Sequence, residues 1–315
     1  MTAERFFSHK LGMIAAAAAA TFLWGSAFPF IKLSYEELNI QPNEIGEQIL
    51  FAGYRFILAS LMIMVFYVFI KRNIFLKKST IKPLVHIGLY QTFFQYVLFY
   101  IGLSYSTGIQ GSIIAGTTSL FQMIFAHFMY NDDSLNRKKV VGVLVGFTGV
   151  ILVNITRGSF SFSFGLGEFL LLLAMVSGAF GNLKARNGSF SMDVGYLTAY
   201  QMLFGSFGLL GVGMIMAGIF PFEFTVKSLF LLLYLAFLSA AGFVLWNNVM
   251  KYNQVGKVSM FLFLVPVFGV ILSSILLQES IHFFVVFGLL FVTSGIIIVN
   301  RPDRKRLRKV NDQVS

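Results

Sequence analysis

Long apolar stretches broken by short polar ones make up most of the chain. A membrane span needs about 20 mostly apolar residues to cross the hydrocarbon core. Ten runs answer to this, at roughly 11–33, 51–70, 84–103, 111–130, 139–155, 165–186, 196–219, 229–250, 256–277 and 281–300. Continuous runs of this kind predict helices, because irregular backbone cannot face lipid. A membrane β-barrel would show alternating segments of about ten residues instead. The pattern predicts an all-α integral membrane protein with ten transmembrane helices. The connections are short, except that residues 34–50 are long enough to carry structure of their own. The first run lacks a small-x-small cleavage site and is followed by more spans, so it reads as a span rather than a cleavable signal.

The two halves echo one another. SGAFGNLK at 177–184 repeats the pattern of GSAFPFIK at 25–32, with small residues, Ala-Phe and a lysine at the same offset. Tyr54-Arg55 answers to Tyr200-Gln201, and the stretch Tyr105 to Asn154 lines up with Tyr252 to Asn300 after one gap. Within it Ser112 matches Ser259, Asp133-Ser134 matches Glu279-Ser280, Gly142 matches Gly288, and Gly149 matches Gly295. Five spans per half place the second half in the membrane upside down relative to the first. The expected architecture is two five-helix inverted-topology repeats, 1–156 and 157–315, the second ending in a basic cytoplasmic tail. Transporters built this way hold their substrate near the midplane, between the repeats.

Composition agrees and narrows the class. The chain is 57% hydrophobic and 12% charged, about half the charge that a soluble domain of ordinary composition carries. Its net charge of +11 is spread between apolar runs rather than gathered into a stripe, which argues for membrane orientation and against nucleic acid. All but Lys32, Arg55, Arg157 and Lys227 of the 24 Lys and Arg fall on the side that also holds both termini. By the positive-inside rule that side is cytoplasmic, and the protein is expected in the plasma (cytoplasmic) membrane. The chain has no cysteine, so disulfides, thiolate metal sites and thiol catalysis are excluded.

Four segments resemble the drug/metabolite transporter superfamily, specifically its EamA-type ten-helix members. They are LWGSAFPFIK in span one, GYRFILAS in span two, GEFLLLLAMVSGAFGNLK in span six and VSMFLFLVPVFGVILSSILLQESI in span nine. The resemblance covers essentially the whole chain and implies carriage of a small metabolite without naming it. Asp132-Asp133, where the first half would match the Glu of span nine, departs from the pattern.

Several residues are candidates for the work. Gly25, Ser26 and Pro29 give span one a place to bend and to be approached closely. Trp24 lies near the midplane, too deep for an interfacial belt, and its face suits a cation or a flat ligand. Arg55 and Glu168 are charges inside spans, which are costly and therefore usually paired or functional. They are the gating or coupling candidates, with a pair between spans two and six as the expected contact. Gln91 and Gln95 share one face of span three, and Thr118 and Gln122 share one face of span four. Asn182, Tyr200, Gln201, Trp246 and Asn247 sit toward the inner half of their spans. Amides in lipid-embedded helices face the interior, either lining a cavity or gluing helices together. Tyr96 and Phe180 would add aromatic walls. The Gly142, Gly146, Gly149 and Gly288, Gly295 stripes mark spans five and ten as scaffold or dimer contacts.

No P-loop, HExxH, GxSxG or carboxylate cluster is present, so no metal or cofactor is expected and the protein does not read as an enzyme. The expectation is a secondary transporter, an exporter or exchanger of amino acids or other zwitterionic or amphipathic metabolites, working by alternating access. Its partners would be the small-molecule substrate, membrane lipid and protons as the candidate coupling ion, with a monomer or homodimer as the working unit. A non-transporting scaffold or sensor and a lipid-modifying membrane enzyme are the alternatives.

Overall fold

Because lipid offers the backbone no hydrogen-bond partner, the chain must satisfy its own, and every regular element among the described residues is helical. The computed structural model describes residues 2–106, 108–131, 133–154, 164–278 and 283–301. Asp132, Arg157, Glu279, Ser280, the side chain of Ser112 and the tail beyond Arg301 lie outside this set. In chain order the helices are α1 (Ala3–Ser8), α2 (Lys10–Leu38), α3 (Ile45–Phe69), α4 (Ile81–Gly88), α5 (Gln95–Ser104), α6 (Gly108–Met129), α7 (Arg137–Asn154), α8 (Leu166–Gly188), α9 (Val194–Ala217), α10 (Val226–Tyr252), α11 (Val255–Val258), α12 (Leu264–Leu277) and α13 (Phe283–Asn300). Among the described residues, eight helical segments are long and apolar enough to cross a membrane. The other two expected spans fall on α6, whose apolar part is the shorter Ile114–Met129, and on α7, which opens on Arg137, Lys138 and Lys139.

The long first connection is mostly helix. α2 runs on to Leu38, where Asn39 takes the left-handed conformation at φ 56°, one that Asn tolerates better than most residues. α3 begins at Ile45, leaving a short link that Gln48 ties down by donating from Nε2 to the carbonyls of Gln41 and Pro42, both at 3.1 Å.

Two spans are not uniform α-helix. Span three passes from α4 through one turn of π-helix, Leu89–Phe94, into α5. Span nine passes from α11 through a 3-10 stretch, Ser259–Phe263, into α12. Pro266 in the first turn of α12 has no N–H to donate to Leu262, so the backbone ahead of it tightens to the 3-10 form.

The most extensive contacts join α3 to α9 and α7 to α13. α2 lies against α10 and α12, while α8 lies against α5 and α6. Small residues make the crossings possible. A Cβ on Gly295 would sit 2.5 Å from the carbonyl of Gly142, so the glycine stripes of α7 and α13 face each other within the chain. A Cβ on Gly25 would meet Phe268 Cβ at 2.5 Å and the Val265 carbonyl at 2.9 Å, which explains the glycine of the Gly-Ser pair in the first span, while the Ser26 hydroxyl lies 2.8 Å from that of Tyr234 on α10. α2 itself is continuous through Pro29.

Candidate functional site

The helices do not close completely around the centre. Between α2, α3, α5 and α6 on one side and α8, α10 and the start of α12 on the other lies a cavity of about 870 Å³. Its rim is formed by Glu36, Asn39, Gln41, Asn43, Ser104 and Ser106, all on the side of the α2–α3 link. Its depth is lined by Trp24, Arg55, Gln95, Tyr96, Thr118, Met175, Asn182, Phe243 and Leu262. Beyond them toward the termini the core is packed, with Met13, Ala17, Ala126, Leu183, Trp246, Val249 and Val258 buried together. Outside that plug Lys139 Nζ donates to Asp133 Oδ1 at 2.5 Å, and Asp133 Oδ2 accepts from the Gly256 N–H at 2.9 Å. Both side chains of this ion pair are buried.

Trp24 is held edge-on to Phe243, with ring centres 5.1 Å apart, and leans on Trp246 at 5.6 Å. Its Nε1 lies against Gly242, where a Cβ would be only 2.8 Å away. Phe56 continues the aromatic layer, 4.6 Å from Tyr96 and 6.3 Å from Phe243. Gln95 lies over Gly178, whose missing Cβ would stand 2.6 Å from the amide oxygen. The Gly of the SGAF segment therefore makes room for a cavity amide.

The polar candidates divide into two groups. Trp24, Gln95, Tyr96, Thr118, Asn182 and Arg55 line the cavity. The Thr118 hydroxyl lies 2.8 Å from the Ala115 carbonyl of its own helix and 2.9 Å from Met175 Sδ on α8, and can donate to either. The others bond away from it. Gln91 is fully buried on the π turn and donates to Asn182 Oδ1 at 2.6 Å. Asn247 Nδ2 donates to Thr198 Oγ1 at 2.9 Å, and Gln201 Oε1 accepts from Thr92 at 2.8 Å. Gln122 Oε1 accepts from Ser259 at 2.9 Å, joining α6 to the 3-10 stretch. Trp246 sits in the packed plug, Tyr200 donates to the Ile74 carbonyl at 2.7 Å, and Phe180 packs edge-on to Tyr90 and Phe125.

The expected pair between Arg55 and Glu168 is not formed. Arg55 Nε donates to Ser239 Oγ on α10 at 2.7 Å. Glu168 accepts from Ser106 Oγ at 2.6 Å and from the Gly165 N–H at 2.8 Å, so it caps the start of α8 and ties it to the rim. The physical reason is position within the helix. In the first turn of α8 the backbone N–H groups lack intrahelical partners, and a carboxylate there satisfies one of them. Residues 103, 104, 106 and 35 also reach the cavity without having been singled out. The π turn that aims Gln91 and Gln95 was likewise not legible, although such turns recur at functional sites.

The model of the EamA-like transporter family matches this chain twice, over residues 10–155 and 165–301. An uncharacterized transporter of Archaeoglobus fulgidus is 27% identical over 288 residues, spanning 89% of this chain and 94% of its own. The uncharacterized transporter YetK of Bacillus subtilis is 25% identical over 300 residues, spanning 92% and 87%. A solved crystal structure superposes with a TM-score of 0.76 over 93% of this chain and 97% of its own, at 13% identity, which shows a shared fold. The chain is a multi-pass membrane protein and belongs to the EamA-like transporter family.

Proposed function

We propose that the protein is a secondary transporter that carries a small metabolite, amphipathic or zwitterionic, through this cavity by alternating access. The observation that carries the reading is the cavity itself. It is of ligand size, is walled by helices from both halves, opens on one side and is closed on the other by a packed plug. Ten spans in two inverted repeats are supported by the double family match and by the contact pattern. Exchanging the halves maps the α2 contacts with α10 and α12 onto the α8 contacts with α5 and α6, and maps α3–α9 and α7–α13 onto themselves. The basic residues favour cytoplasmic termini in the plasma membrane, so the cavity as it stands faces outward. Glu168, engaged with Ser106 and Gly165, is read as a residue that fixes the rim rather than as the coupling group.

The absence of cysteine makes a direct test simple. A Ser104→Cys variant at the rim is expected to react with a membrane-impermeant maleimide added outside intact cells, and a transported compound is expected to slow that reaction. Flux in proteoliposomes, with a panel of amino acids and small organic acids and with or without a pH gradient, would identify such a compound. A rim cysteine that reacts only from the cytoplasmic side would reverse the orientation. Failure of every compound in the panel to move would remove the transporter reading.

A further inference from the structure

Arg55 is the charge on this wall that the fold leaves unanswered. The residue is 3% exposed, at the level of the aromatic layer. Its Nε is held by Ser239 Oγ at 2.7 Å and its guanidinium carbon stands 5.2 Å from the centre of the Phe56 ring. These contacts fix the plane of the fork and occupy one of its three nitrogens. Among the described residues no Asp or Glu pairs with it, and its two terminal amino groups have no protein acceptor while Arg55 lines the cavity. Tyr35, Tyr96 and Tyr100 line the same cavity, and a phenol oxygen is a weak acceptor beside a carboxylate.

A buried cation without a counter-ion is destabilising in the empty protein. A planar fork with two free amino groups matches a carboxylate bidentately. Beside it Gln95, whose amide has no partner among the described residues, can donate or accept a further bond. The rest of the wall at this depth is mostly aromatic or apolar, with Trp24, Tyr96, Phe99 and Phe243, and its other polar side chains, Thr118 and Asn182, are uncharged. Among the described residues the one acid lining the cavity, Glu36, belongs to the rim rather than to this level.

We infer that the transported compound carries one carboxylate that docks on Arg55, with a neutral aromatic or apolar body against the Trp24–Phe243 wall. This rests on the transporter reading of the same cavity and sharpens it: the anion is required and a positive charge is not. Lys32 also lines the cavity, one helical turn before Glu36 of the rim. At the level of the aromatic layer, therefore, a dianion such as a phosphate ester would bring two negative charges to the single fork of Arg55, and an organic cation would meet Arg55 repulsively.

The test needs binding as well as flux. Thermal stability of the purified full-length protein would be followed with matched probes that share a body and differ in charge. 3-Phenylpropionate, phenylalanine and 2-phenylethylamine form one set, and the indole and branched aliphatic equivalents form two more. At least one carboxylate set is expected to raise the melting temperature while its amine does not. Arg55→Gln is expected to weaken that binding about 30-fold or more, the ordinary result of truncating one partner of a buried charge pair. Arg55→Lys, which keeps the charge and loses the fork, should retain part of it. Arg55→Gln without ligand should melt no lower than the native protein, because it removes an uncompensated charge. An Arg55 that served only to join α3 to α10 would instead lower the melting temperature and leave probe selectivity unchanged.

Amines binding as well as acids, no acid binding in any set, or acids binding equally to Arg55→Gln would each overturn the inference. Arg55-dependent binding without flux would preserve the ligand class and defeat the transporter reading. Flux of compounds lacking a carboxylate would do the reverse.

Discussion

Gly242 and Gly178 show how a missing side chain shapes this cavity. Each is the surface on which a lining group rests, Trp24 in the first case and Gln95 in the second. A methyl group at either position stands closer than van der Waals contact allows, so the lining group must move, and the open side is the cavity. Gly242→Ala is therefore expected to push the indole inward and reduce transport, with helix content unchanged by circular dichroism. Loss of helix without selective loss of flux would show that the glycine serves packing alone. The same local geometry explains why spacing alone left open which amides line the cavity and which join helices. Gln91 and Gln95 are one helical turn apart in an ideal helix, yet the π turn between Leu89 and Phe94 separates their roles. Gln91 joins a buried chain to Asn182, while Gln95 faces the cavity.

Elements hold that buried chain in place. Asn182 on α8, Gln91 on the π turn and Asn247 on α10 meet, with Gln91 Nε2 2.6 Å from the Asn182 oxygen and 3.4 Å from that of Asn247, and Thr198 on α9 ends the series. Four elements converge on one polar line beneath the cavity floor. Gln91→Leu would strand the Asn182 oxygen, and an unsatisfied buried acceptor costs about 1–3 kcal/mol. A lower melting temperature is the expected outcome, and an unchanged one would mean that water or a neighbour takes over the bond. The glycine stripes of α7 and α13 were legible from spacing alone. That they face each other, and so serve as scaffold within one chain, came from the close approach of Gly142 and Gly295.

For the molecule as a whole, the two ends of the cavity differ. One is ringed by polar groups and open, while the other is shut by the Trp246 plug and, outside it, by the buried pair of Lys139 and Asp133 against the Gly256 N–H. Removing one partner of a buried ion pair typically costs about 3–5 kcal/mol, because the other charge is left uncompensated. Lys139→Met is thus expected to loosen the closed end. The melting temperature should fall, and, if the proposed alternating access holds, labelling of a Ser104→Cys rim residue in the same protein should drop as the cavity spends more time facing the other way. Undiminished labelling would make the pair a local brace.

The membrane class, the helical spans and the echo between halves were all present in the order of residues. Lipid admits only self-satisfied backbone, so apolar length translates directly into helix. The list of polar residues inside the bundle was legible for the same reason, since water-seeking groups cannot face hydrocarbon. Their division was not. Whether an amide lines a cavity or binds its neighbour depends on crossing angles, on a π turn and on glycines that let helices touch. Arg55 reaches Ser239, 184 residues later in the chain, while Glu168 caps its own helix. No spacing rule distinguishes those outcomes, because the partners come together only when helices from both halves pack.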